Sequence, residues 1–184
     1  MLFGKERVVV YIDGGNTYRK LKELGIPKQD KRFDYSAFVN YLVGERELVS
    51  KRYYVGIVKN HDNSKKSEDM VKSQQKFLSG LENEEFTIKR GRIMYDGKRI
   101  REKGVDVKLS VDLVIGAVDD LYDTAIIVSS DTDLIPAIQY VRNGKNKQVE
   151  YVGFATSPSI GLIKSSKSRL FAESDLISFQ VDKL

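Results

Sequence analysis

The sequence predicts an α/β protein built around a mostly parallel sheet. Short apolar runs typical of buried strands alternate along the chain with segments whose apolar residues recur at helical spacing. This alternation favours parallel strands joined by right-handed crossovers. The 184 residues are enough for one hydrophobic core and hardly for two. Because no linker or internal repeat interrupts them, we expect a single domain over residues 1–184.

Apolar runs bounded by turn residues mark the expected strands. Residues 8–12 are apolar throughout, which is typical of a strand buried on both faces. Further strands are expected at residues 51–59, 124–130 and 148–154, and a short one at residues 176–179. Residues 85–101 are rich in β-forming side chains, and the Asp-Gly pair at 96–97 predicts a hairpin turn there.

Helices are expected between the strands. Asp34 can cap a helix that runs to about Val43. The other helices are predicted at residues 16–24, 67–81, 105–121, 134–142 and 161–165. Within two of these helices, Tyr41, Met70 and Phe77 are expected on the inward side.

The composition excludes several kinds of site. There is no cysteine, so disulfides and thiolate zinc sites are excluded. His61 is the only histidine, which excludes multi-histidine metal sites, and its polar loop predicts an exposed side chain. Catalysis would therefore depend on carboxylates, hydroxyls, amides and lysines. Because no apolar run approaches the ~20 residues of a membrane span and no signal-peptide pattern is present, we expect a cytoplasmic protein that does not contact a membrane.

Charge is unevenly distributed along the chain. The formal net charge is only +5, yet residues 51–103 contain 14 Lys and Arg against 8 Asp and Glu. Residues 106–133 contain seven Asp against a single lysine, Lys108. An acidic centre flanked by basic segments suits a site that holds cations beside an anionic polymer. Ordinary solvated surfaces are the alternative interpretation.

Carboxylates follow the predicted strands where ligands bind in parallel sheets. Asp13 follows the first strand, and Asp131 and Asp133 follow the strand at 124–130. In open parallel sheets, ligands bind beyond the carboxyl ends of the strands. Crowded carboxylates repel one another, and oxygen ligands favour Mg²⁺ or Mn²⁺. The alternative is that these residues only cap the helices that follow them.

Helix geometry limits two further carboxylates. Asp106 and Asp112 lie six residues apart on a predicted helix, about 240° apart around its axis. They would therefore not share a face if both were helical. They could converge only if Asp106 were the non-helical N-cap residue.

Three motifs follow one another over roughly residues 6–154: YIDGGN from Tyr11, KGVDVKLSVD from Lys103 and IIVSSDTDLIPAI from Ile126. In sequence and order they resemble the motifs of the NYN domain, specifically its LabA-like branch within the PIN-like nuclease superfamily. The resemblance implies a three-layer α/β/α fold of PIN-like topology and a ribonuclease that depends on Mg²⁺ or Mn²⁺. Two positions depart from the family pattern: Ser130 replaces a usual glycine, and Leu134 a usual aromatic residue.

The resemblance also assigns site residues. The implied catalytic set is Asp13, Asn16, Asp106, Asp112 and Asp131, and the implied metal ligands are Asp13, Asp106, Asp131 and Asp133. Candidate RNA contacts are Lys103, Ser130, Arg90 and Arg92. The last two lie in the basic segment 89–103, where Tyr95 suits stacking on single-stranded RNA. A plain charged hairpin is the alternative for this segment. Gly14 and Gly15 would let backbone and substrate approach closely, or form an ordinary turn.

Other functions are weighed against the ribonuclease. A non-catalytic RNA-binding or regulatory LabA-like module would keep the fold without turnover. An acidic phosphatase would need a second Asp two residues after Asp13, where Gly15 stands. Serine catalysis at Ser129 or Ser130 lacks an evident base. Homo-oligomerisation is left open.

Overall fold

A computed structural model describes residues 4–28, 30–96 and 99–182 of the chain. Most strands form one sheet, and β2 pairs with β9 in a separate two-stranded sheet. The strands are β1 (Arg7–Asp13), β2 (Lys31–Phe33), β3 (Glu47–Ile57), β4 (Thr87–Asp96), β5 (Arg99–Lys103), β6 (Thr124–Val128), β7 (Gln148–Phe154), β8 (Lys167–Phe171) and β9 (Gln180–Asp182).

Helical segments connect the strands. The α-helices are α1 (Gly14–Glu23), α2 (Tyr35–Val43), α3 (Lys65–Asn83), α4 (Val105–Val118), α5 (Ile135–Gln139), α6 (Ile160–Ser165) and α7 (Glu173–Leu176). Two 3₁₀ turns (Thr132–Leu134 and Ile177–Phe179) and a π-helical segment (Tyr140–Gly144) complete them. None of the helices in the described part of the chain has both the length and the apolarity to cross a membrane.

The order of the strands places a switch point beside β1. The seven-stranded sheet runs β5-β4-β3-β1-β6-β7-β8, and its neighbouring strands are parallel except β4 and β5. The chain builds one half of the sheet from β1 outward, then returns to the other side of β1 with β6. Ligands of such sheets bind at the carboxyl ends of the strands where the order reverses. That point lies between the ends of β1 and β6.

A hairpin arm projects from the same edge of the sheet. The last pair between β3 and β4 is Ile57 with Arg92, so the rest of β4 extends past the end of β3. β5 runs back along it, and Lys103 pairs with Arg92. The chain therefore returns to the sheet edge where α4 begins. Gly97 of the predicted hairpin turn lies outside the described residues.

Alternate residues of the central strands pack on opposite layers of helices. Val8, Val10 and Ile12 face a core shared with α1, α2 and α3. Val9 and Tyr11 face a second core shared with α4, α5 and α6. The structure thus confirms the three-layer α/β/α fold with a mostly parallel sheet.

Several predicted elements need correction. Residues 176–179 are helical rather than a strand, because Leu176 and Phe179 are buried one helical turn apart. The short strands β2, β8 and β9 were not predicted; their partners are set by the tertiary fold rather than by a local pattern. Tyr41, Met70 and Phe77 are 61%, 44% and 39% exposed rather than inward-facing.

Candidate active site

Asp13 lies at the centre of the candidate site, at the end of β1. Its side chain is only 7% exposed. Oδ1 accepts a hydrogen bond from the backbone N–H of Asn16 at 3.0 Å, which also makes Asp13 the N-cap of α1. Oδ2 accepts a hydrogen bond from the Ser129 hydroxyl at 2.9 Å. Within the residues that the structure describes, no lysine or arginine forms an ion pair with it.

The electrostatic environment disfavours ionisation of Asp13. Burial raises the pKa of its carboxyl above the usual range, and the hydrogen bonds from Asn16 and Ser129 only partly offset this. The charge of Asp131 raises the pKa further, and that of Arg19 lowers it. A carboxylate in this setting is stabilised by a nearby cation.

The segment after β6 brings two more groups to Asp13. Ser129 is fully buried, and its Oγ accepts the backbone N–H of Asp131 at 3.1 Å while donating to Asp13. One hydroxyl therefore links the two acidic positions. Ser129 was missed as a site residue because its role depends on the pairing of β1 with β6.

Asp131 and Asp133 lie in the turn that follows Ser129. Asp131 caps the 3₁₀ turn: its Oδ1 accepts the backbone N–H of Asp133 at 2.9 Å. Its side chain is half-buried, whereas Asp133 is exposed. The structure thus brings Asp131 to Asp13 and leaves Asp133 at the rim.

Asn16 links the segments that follow β1 and β6. Its Oδ1 accepts the backbone N–H of Ser130 at 3.1 Å, which ties the start of α1 to the loop after β6. Ser130 Oγ lies 3.5 Å from the hydroxyl of Tyr151, at the limit of a hydrogen bond. The amide of Asn16 therefore positions the loop that carries Asp131.

Glu102 is a carboxylate of the site that the sequence did not indicate. It lies near the end of β5, and its Oε1 accepts the backbone N–H of Gly56. Burial raises the pKa of the Glu102 carboxyl; the Gly56 hydrogen bond opposes this, and the charges of Asp13 and Asp106 raise the pKa further. The sequence places Glu102 in a basic segment, and only the hairpin register carries it to the ends of β1 and β3.

The two glycines after Asp13 make room for different neighbours. A Cβ on Gly14 would lie 2.4 Å from the ring of Tyr53 in the core. A Cβ on Gly15 would lie 2.5 Å from Oε2 of Glu102. Gly14 is thus required by the close approach of a core ring, whereas Gly15 faces the movable end of a side chain, and neither has an unusual backbone angle.

Asp106 and Asp112 are separated as the helix geometry requires. Gly104 is the N-cap of α4, with φ of 78°, so Asp106 lies inside the first turn rather than at the cap. Its charge acts on Glu102 at the site edge. Asp112 lies about 240° around the axis, and the structure does not bring it to Asp13.

Asp112 instead forms an ion cluster on the sheet face beneath α4. The Tyr54 hydroxyl donates to it at 2.7 Å, Lys89 Nζ lies 3.1 Å away and Arg52 lies 3.6 Å away. Burial pushes the pKa of Asp112 upward, but these partners outweigh burial and lower it. Its negative charge is therefore already compensated within the protein, in contrast to that of Asp13.

The candidate RNA contacts differ in whether their charges are already paired with a carboxylate. Arg90 pairs with Glu82 at 2.7 Å. Arg92 and Lys103 are exposed and lie opposite each other at the base of the arm, and neither forms an ion pair with the carboxylates that the structure describes. Arg19, on α1, adds a positive charge beside Asp13 and Glu102 that the sequence reading did not single out.

The donor chemistry suits a hard divalent cation, although the side chains do not form a closed cage. Over residues 4–28, 30–96 and 99–182, no group of three or more acidic or histidine side chains is close enough together to hold a metal ion. Mg²⁺ is often held by one or two carboxylates together with waters and substrate phosphates. Asp13 and Asp131 fit that mode of binding, because they offer only oxygen donors and their negative charges repel each other.

A pocket lies at the other end of the strands, away from the candidate active site. It is lined by the starts of several strands and by Arg46, Glu150 and Arg169. Both arginines pair with Glu150, at 2.9 and 2.6 Å, and donate to the carbonyl oxygen of Leu42. This ion-pair network satisfies its own charges, so we assign it a structural role.

Comparisons with known proteins agree with the fold. The family model described as the NYN domain matches residues 7–172. A crystal structure of a protein of unknown function from Vibrio parahaemolyticus RIMD 2210633 superimposes with a TM-score of 0.71 and 23% identity, covering 98% of this chain and 99% of that one. No curated protein matches the sequence.

Proposed function

Because the chain belongs to the NYN domain family of the PIN-like nuclease superfamily, we propose that it is a divalent-metal-dependent ribonuclease of the LabA-like branch. It would hydrolyse phosphodiester bonds of single-stranded RNA in the cytoplasm. We also propose that residues 1–184 form one NYN domain of PIN-like type.

The buried carboxylate of Asp13 is the observation that carries this proposal. It lies at the switch point of a parallel sheet, where ligands bind, and no cation of the described residues pairs with it. Asp131 adds negative charge that raises the pKa of Asp13, and the charge of Asp13 in turn raises the pKa of Glu102. A purely structural cap would gain nothing from neighbouring carboxylates.

The carboxylates would hold Mg²⁺ or Mn²⁺. Asp13 and Asp131 would bind the ion, with Asp106, Asp133 and Glu102 around it. When bound, such an ion lowers the pKa of water and offsets charge on a phosphate oxygen. Asn16 and Ser129 hold the strand ends in place, so the carboxylates keep their positions as substrate enters.

The basic groups beside the site would contact the RNA backbone. Arg92 and Lys103 lie at the base of the arm, and Ser130 lies in the loop that carries Asp131. Arg19 lies close enough to shift the pKa of Asp13 and is exposed. We propose these four residues as phosphate contacts; Arg90, already paired with Glu82, would contribute less.

A regulatory RNA-binding module is the second candidate. The observation that favours it is the lack of a converged group of three metal donors within the described residues. Such a module would bind RNA through the same basic groups without cleaving it.

The decisive experiment measures cleavage, binding and metal-dependent stability together. We expect the full chain to cut labelled single-stranded RNA with Mn²⁺ and not with EDTA. Asp131→Asn should abolish cleavage while RNA binding survives, because the substitution removes a carboxylate but no phosphate contact. Millimolar Mn²⁺ should raise the melting temperature, since a ligand of the folded state stabilises it, and Asp13→Asn should remove that rise.

Asp119→Asn is the matched control. Asp119 is an exposed carboxylate at the far end of α4, so its loss should change neither cleavage nor the Mn²⁺ response. Cleavage by Asp131→Asn at the wild-type rate would refute the assigned site. RNA binding without cleavage or metal response in the wild type would favour the regulatory module.

A further inference from the structure

Two aromatic side chains stack beyond the carboxyl end of β3. The imidazole ring of His61 and the ring of Tyr95 are nearly parallel, with centroids 3.9 Å apart and planes 9° apart. His61 lies in the loop before α3, and Tyr95 lies in the part of β4 that forms the arm.

Both rings are held in place yet remain open to solvent. The Tyr95 hydroxyl donates to the carbonyl oxygen of Lys59 at 3.1 Å. The backbone N–H and Nδ1 of His61 each lie 3.4 Å from the hydroxyl oxygen of Ser67, and Nε2 lies 3.8 Å from the Asp62 carboxylate. The His61 side chain is still 42% exposed. A base stacking here would meet a pre-ordered surface, which reduces the entropy lost on binding.

The stacked pair lies on the same edge of the sheet as the carboxylates. Asp13 pairs with Tyr54, and Tyr54 pairs with Lys89, so Tyr95 lies six residues, or about 20 Å, farther along the strand direction than Asp13. β4 is two strands from β1, about 10 Å to the side. Tyr95 lies four residues after Gly91, so the two face the same side of the sheet. Gly91 packs against Val105 at the start of α4, so this is the side that α4 covers. One strand of nucleic acid could therefore reach both the stack and Asp13.

Three lysines lie close in sequence to His61, while the carboxylate of Asp62 lies beside its ring. Lys59, Lys65 and Lys66 are exposed, and none of them pairs with a carboxylate in the part of the chain that the structure describes. Lys65 and Lys66 lie in the first turn of α3, together with Glu68. Aromatic faces beside lysines are typical of single-strand binding surfaces.

We propose that the His61–Tyr95 stack is a platform for an unpaired base, so that the protein binds single-stranded RNA in preference to duplex RNA. A duplex keeps its base faces stacked inside the helix and cannot offer them to the rings. The identity of the polymer rests on the proposed function, whereas the preference for single strands rests on the platform itself.

The test measures binding in EDTA, where metal-dependent cleavage cannot interfere. Fluorescence anisotropy compares a labelled single-stranded RNA with its blunt duplex on the full chain. His61→Ala should weaken single-strand binding roughly five- to 100-fold and change duplex binding less than about twofold. His61→Phe should restore single-strand binding, because it keeps a flat aromatic ring and removes only the ring nitrogens. An oligonucleotide carrying 2-aminopurine should be quenched by the wild type and less by His61→Ala.

The outcomes separate stacking from charge and from catalysis. Unchanged single-strand binding by His61→Ala, or equal weakening for both polymers, would overturn the platform. Tyr95→Phe, which loses only the hydroxyl bond to Lys59, should bind within about threefold of the wild type; melting curves show whether each variant is folded. Platform-dependent binding without any Mn²⁺-dependent cleavage would refute the proposed chemistry and support the platform.

Discussion

Ser129→Ala should show how strongly the site depends on one buried hydroxyl. The substitution removes the donor to Oδ2 of Asp13 and the acceptor for the Asp131 N–H, at 2.9 and 3.1 Å. Ser129 is fully buried, so water does not readily replace either bond. A buried group left without its partner costs about 1–3 kcal/mol. Two such losses predict a free energy of unfolding lower by about 2–6 kcal/mol, or a melting temperature lower by roughly 4–24 °C.

The loss should depend on pH. Burial raises the pKa of Asp13, and the Ser129 hydrogen bond opposes that rise. A carboxyl whose folded pKa is raised makes the folded state less stable as pH increases through that pKa. Without Ser129 the pKa rises further, so the variant should lose more stability at neutral pH than at about pH 4, near the ordinary Asp pKa.

Ser130→Ala provides the matched control at the next position. Among the described residues its hydroxyl makes only the 3.5 Å contact with Tyr151, so its loss should cost about 0.5 kcal/mol or less. Urea unfolding of both variants at the two pH values compares them directly. Equal stability of the two alanine variants at neutral pH would show that Ser129 does not support Asp13 as described.

Two further predictions concern neighbouring positions. Gly15→Ala should lower the free energy of unfolding by less than about 1 kcal/mol, because its Cβ meets the movable end of Glu102. Gly14→Ala should lower it by roughly 1–3 kcal/mol, because its Cβ meets the Tyr53 ring in the core. Equal losses in urea unfolding would contradict this. Asp112→Asn should lower stability at neutral pH but not at low pH, because its pKa is lowered by its partners and that stabilisation disappears as pH falls through the lowered pKa. Its cleavage of RNA should stay within a few-fold of the wild type, and loss of cleavage in a folded variant would return Asp112 to the catalytic set.

Local patterns in the sequence were sufficient for an α/β fold with a mostly parallel sheet, and the resemblance to the NYN domain implied its three layers. The apolar runs at β1, β6 and β7 identify buried strands because a strand covered on both faces has no polar positions. Asp34 identifies the start of α2 because its side chain accepts the N–H of Ala37, a bond between residues close in sequence. Such signals involve only a few neighbouring residues, so they can be recognised without knowing the fold.

The neighbours of each carboxylate depended on long-range packing. Helical geometry already separated Asp106 from Asp112, but the cations that compensate Asp112 come from β3 and β4. Glu102 reaches the site through the register of the hairpin, and Ser129 through the pairing of β1 with β6. Strand order and register join residues about a hundred positions apart, and no periodicity within one segment encodes which residues they bring together. The motifs thus located the acidic positions, while the folded sheet set the hydrogen bonds and charges around each one.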